Sequence, residues 1–125
     1  MWATIMSPSE NPIQKQREKR PLLNDTLPSF AAELRQLLIE QGEPELAIQV
    51  PSLRIFERCN CGDDICCGTF YTQPKPKGSF GPGHRNVRLI PDEGMLILDV
   101  ADGEIACVEV LDRGDVRQKL DEVFP

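Results

Sequence analysis

Met95-Leu96-Ile97-Leu98-Asp99-Val100-Ala101-Asp102-Gly103-Glu104-Ile105-Ala106-Cys107-Val108-Glu109-Val110-Leu111 consists of two alternating apolar runs joined across an Asp-Gly pair. Valine and isoleucine suit a pleated surface, and glycine accepts positive φ without steric cost. The stretch therefore predicts an antiparallel hairpin, with residues 95–100 and 105–111 as strands and 101–104 as their connection.

After the hairpin, a helix starting near Asp112 or Gly114 places Val116, Leu120, Val123 and Phe124 on one face. Before it, residues 87–90 read as a short strand that ends at Pro91. Residues 73–86 are too rich in proline and glycine for a regular element and predict a loop, acting as a lid, a contact surface or a linker. Residues 66–72 (Cys, Thr, Phe and Tyr) and the alternating residues 52–59 read as two further strands, with turn residues Asn60 to Asp64 between them. Residues 46–50 form a brief strand or an extended connector closed by Pro51.

Thr26 is placed to cap a helix whose first turn holds Pro28. Phe30, Leu34, Leu37 and Leu38 share one face of that helix, and Gly42 and Pro44 stop it. Residues 1–24 lack a sustained apolar period and read as a flexible polar tail. The expected architecture is one α+β domain over residues 25–125. It contains an antiparallel sheet of four to five strands, with an N-terminal and a C-terminal helix packed on it.

The net charge of −6 argues against general affinity for nucleic-acid backbone, which depends on lysine and arginine neutralising phosphates. The charge is unevenly distributed. Lys15, Arg17, Lys19 and Arg20 form a basic run, Lys75, Lys77, Arg85 and Arg88 lie in a segment without acids, and acidic residues dominate from Asp92 onward. Such asymmetry suits a protein partner found by electrostatic steering. No run approaches a transmembrane span and the first residues do not resemble a secretory signal, so the expected location is the cytosol, without membrane attachment.

Four of the five cysteines fall in Cys59-Asn60-Cys61-Gly62-Asp63-Asp64-Ile65-Cys66-Cys67. A structural zinc site takes four soft or borderline ligands, most often as two Cys-x-x-Cys knuckles. Here the first pair is one residue short and the second is adjacent. On an extended strand Cys66 and Cys67 face opposite ways, so the candidate metal set is Cys59, Cys61 and one of Cys66 and Cys67, with His84 as an optional partner. Small buried thiols are the preferred reading, ahead of zinc and of a redox or disulfide role. Catalysis by a cysteine needs a base, and His84, the only histidine, lies in the glycine-rich loop, where a solvated side chain is expected. Asp99, Asp102 and Glu104 lack calcium-loop spacing and read as turn-forming, solvated groups. No catalytic residue is assigned.

Asp99, followed by Asp102-Gly103-Glu104-Ile105 and then Val108-Glu109-Val110-Leu111, resembles the terminal hairpin of small bacterial families of unknown function. In those families an Asp-x-x-Gly-x-Ile turn precedes a strand ending in an Ile-Glu-Ile-Leu-like sequence. The resemblance covers about the last third of the chain and implies a small bacterial, non-enzymatic protein. The reading reached from sequence is a non-catalytic binding or regulatory module. The alternatives are a zinc-binding domain and, third, a thiol-dependent enzyme.

Overall fold

A computed structural model describes residues 19–59, 68–78 and 80–123. In chain order the elements are α1 (Leu23–Thr26), α2 (Pro28–Glu40), α3 (Pro44–Ala47), a 3₁₀ turn (Val50–Ser52), β1 (Glu57–Arg58), β2 (Phe70–Tyr71), β3 (His84–Leu89), β4 (Met95–Ala101), β5 (Glu104–Leu111) and α4 (Gly114–Val123). The five strands form one antiparallel sheet in the order β1-β2-β5-β4-β3, giving the expected α+β class.

The central hairpin is tighter than the sequence reading. Ala101 pairs with Glu104, leaving Asp102 and Gly103 as a two-residue turn with φ of 52° and 82°. Two successive positive φ values match the right-handed twist of the flanking strands. The register shifts between Asp99 and Val100: Cys107 faces Asp99 while Ile105 faces Val100, so Ala106 is the extra residue of a bulge.

Strand alternation sorts the sheet into two faces. Phe70, Val108, Leu98 and Val87 stand in one row across β2, β5, β4 and β3, and all are buried. They join Phe30, Leu34 and Leu38 of α2 and Val116 and Leu120 of α4 in a single core. The helices thus cover one face of the sheet.

Several local expectations change. Pro21 to Leu23 belong to the domain rather than to a tail ending at residue 24: Leu23 is fully buried, its N–H donates to Leu53 O at 2.8 Å, and Pro21 O accepts from Ile55 N at 2.9 Å. Thr26 is not a cap. It is buried in α1, and Leu27 occupies the N-cap position of α2 without a side-chain hydrogen bond. Residues 46–50 are helical rather than extended, because Pro44 and Pro51 occupy helix-start positions, where their fixed φ is already helical. The strand expected over 52–59 contracts to Glu57–Arg58, since residues 53–55 pair with the 21–23 segment instead. Of the strand expected over 66–72, residues 66 and 67 lie outside the described residues and the rest is strand only at Phe70–Tyr71, while β3 begins at His84, inside the predicted loop.

Candidate functional site: the open face of the sheet

The register that builds the core also builds the opposite face. Tyr71, Cys107, Asp99 and Asn86 form a row across β2, β5, β4 and β3. Two residues away on the same side lie His84 on β3 and Glu109 on β5, and Cys59 follows β1 with its N–H donating to Thr69 O at 2.9 Å. Over this face is a basin of about 370 Å³. The buried Asp99 and Cys107 lie deepest, and the half-buried Cys59, Tyr71, Phe80 and Glu109 surround them.

Asp99 organises the cluster. His84 Nε2 lies 2.8 Å from Asp99 Oδ1, and Asn86 Nδ2 donates to the same oxygen at 2.7 Å. Phe80 stacks on the imidazole with ring centroids 4.8 Å apart. Burial by itself favours a neutral Asp99, but hydrogen bonds from Glu109, His84 and Asn86 outweigh it and hold the carboxyl below its ordinary range. Glu109 moves the other way. Its hydrogen bond to Asp99, reinforced by burial and by the Asp99 charge, pushes it up to about 7. The proton thus resides on Glu109, which donates it to Asp99.

That proton has a consequence for stability. In the folded protein Glu109 holds it up to about pH 7, whereas its ordinary value is 4.5. The contribution is complete below about 4.5 and is lost as pH rises through about 7, while the depressed Asp99 contributes with the opposite sign at lower pH. The melting temperature is expected to fall across the 4.5-to-7 window. In Glu109→Gln that slope flattens; an unchanged slope in calorimetric scans would show that the proton sits elsewhere.

Cys107 is a buried thiol, and burial first, then the neighbouring Asp99 and Glu109 charges, drives its pKa far above the ordinary thiol range. A thiol acts as a nucleophile only as thiolate. Native protein at mildly alkaline pH should therefore leave Cys107 unmodified by iodoacetamide, with alkylation appearing in mass spectra only after denaturation.

Of the residues singled out as metal candidates, Cys59 and His84 come to the same face, whereas Cys61, Cys66 and Cys67 lie outside the described residues. Among the described residues no group of three or more His, Cys, Asp or Glu side chains is arranged to hold a metal ion. His84 is a strand residue whose Nε2 lies against Asp99 Oδ1, rather than a solvated loop residue. Asp99, read from sequence as solvated, is buried, while Asp102 is an exposed turn residue and Glu104, also exposed, is the first residue of β5. Sequence reasoning missed Asp99, Cys107, Glu109 and Tyr71 as one cluster. The available signal was a single carboxylate between Leu98 and Val100 in an otherwise apolar strand.

Comparison with protein-family models, curated proteins and solved structures finds no match for the chain. No described helix is long and apolar enough to cross a membrane.

Proposed function

We propose that the protein is a small, non-catalytic binding or regulatory module of the bacterial cytosol that meets a protein partner on the side of the sheet its helices leave open. The observation that carries this reading is the mutual commitment of the reactive groups in the basin. His84 is held by Asp99, Glu109 is hydrogen-bonded to Asp99, and the Cys107 thiol is kept protonated by burial and by those same carboxyl groups. A nucleophilic cysteine needs the reverse, a base or a cation beside the sulfur. The test is a panel of hydrolase and redox substrates. No turnover is expected, and turnover that disappears in His84→Ala would overturn the proposal.

A second reading has one observation in its favour. A metal-bound histidine commonly places its other ring nitrogen on a carboxylate, and His84 Nε2 is already on Asp99. Zinc held by Cys59, Cys61 and one of Cys66 and Cys67, with the remaining nitrogen of His84 as a fourth ligand, fits that pattern. Elemental analysis of untagged protein decides it: stoichiometric zinc that is lost in Cys61→Ser and Cys66→Ser supports the site, and substoichiometric metal indifferent to both substitutions removes it.

A further inference from the structure

The two edges of the sheet are unequal. β1 has two residues, whereas β3 has six, pairs with β4 along its whole length and carries no strand on its other side among the described residues. Alternate backbone N–H and C=O groups of β3 therefore face outward, ready to pair with another extended chain. Proteins commonly blunt such an edge by shortness, a bulge, proline or charge. Here the bulge lies between β4 and β5, and Pro82 and Pro91 fall outside the strand, so charge alone marks this edge.

That charge has one sign. Residues 73–91 contain no Asp or Glu, in a chain whose net charge is −6, and β3 carries Arg85 and Arg88. Arg85 is tied to the Glu43 carboxylate by bonds of 3.0 and 3.1 Å. Arg88 is exposed on the open side of the strand, with no ion pair among the described residues. Just beyond the strand, Ile90 is 77% exposed. A second copy of the chain fits poorly: antiparallel pairing of β3 with itself brings two copies of this acid-free, arginine-bearing strand side by side, and like charges on neighbouring strands are destabilising. An acid-bearing strand has the complementary pattern.

We propose that the β3 edge is a strand-addition site for an extended acidic segment of a partner protein. Backbone pairing along β3 supplies affinity, carboxylates facing Arg88 supply selectivity, and an apolar residue of the segment covers Ile90. This inference rests on the binding-module reading and names its partner class.

The test uses the full chain and a ten-residue peptide of alternating glutamate and valine, followed through backbone amide chemical shifts. The expected result is saturable binding that shifts the amides of residues 84–90 and weakens with salt. Arg88→Glu is expected to reduce affinity by about tenfold and to favour a lysine-valine peptide instead. Methylating alternate peptide nitrogens of the ligand is expected to abolish binding, because it removes the backbone donors. Absence of binding at millimolar peptide, indifference to N-methylation, shifts confined to Cys59, Tyr71 and Cys107, or equal binding of a single-stranded oligonucleotide would each overturn the edge site. Those outcomes leave the non-catalytic reading standing, whereas turnover in the substrate panel removes that reading whatever the peptide does.

Discussion

Phe70→Ala is expected to lower stability by about 3–5 kcal/mol, the range for emptying a buried aromatic site. Phe70 is fully buried on β2, opposite Val108, and its ring meets Phe30 of α2 edge-on with centroids 6.1 Å apart. It therefore joins the short β2 to the long strand beside it and joins the sheet to the helix. β2 has only two residues in the ladder, so the burial of this one side chain, more than its hydrogen bonds, holds the strand in place. A loss of that size is a large fraction of the roughly 5–15 kcal/mol by which a domain of this kind is stable. Phe70→Leu keeps most of the volume and should lose less than about 1.5 kcal/mol. Urea denaturation of both variants measures the difference, and equal losses would mean that ring volume is not what the site requires.

Arg113→Ala is expected to cost about 3 kcal/mol, the lower end for breaking a buried ion pair by removing one partner. The Arg113 side chain is 7% exposed, and its guanidinium donates to both Glu33 oxygens at 2.8 and 2.9 Å and to both Asp115 oxygens at 3.1 Å. It also lies 5.7 Å from the Phe30 ring centre. Asp112, with φ of 56°, turns the chain out of β5 and delivers Arg113 to this position. The cost stays at the lower end because Glu33 and Asp115 retain 31% and 63% exposure and can be rehydrated. Arg113→Lys is expected to recover only part of the loss, since an ammonium lacks the planar fork that meets two carboxylates at once. A double-mutant cycle with Glu33→Ala isolates the pair, and full additivity would show that the contact contributes nothing.

Neither residue stands out from sequence patterning to the degree its environment warrants. Phe70 reads as one more aromatic on a short strand, and Arg113 as one of a few cations in an acidic half. Both derive their weight from partners about 40 to 80 residues away, such as Phe30 and Glu33. The same holds for residues 21–23. Pro21, Leu22 and Leu23 are too short an apolar stretch to show a period, yet they pair with residues 53–55, about 30 residues away.

By itself the sequence determined the central hairpin, the α2 and α4 helices and the α+β class. These follow from local periodicity and from turn chemistry, which act between residues close along the chain. The tertiary structure alone decided the open face. Tyr71, Cys107, Asp99 and Asn86 fall in one row only because β5 lies between β2 and β4, and because the bulge after Asp99 fixes which β5 residue faces it. Strand order and register are set by burying Phe70, Val108, Leu98 and Val87 together under the helices, a global packing condition that local pattern does not encode. The raised Glu109, the silenced Cys107 thiol and the anchored His84 all follow from that register.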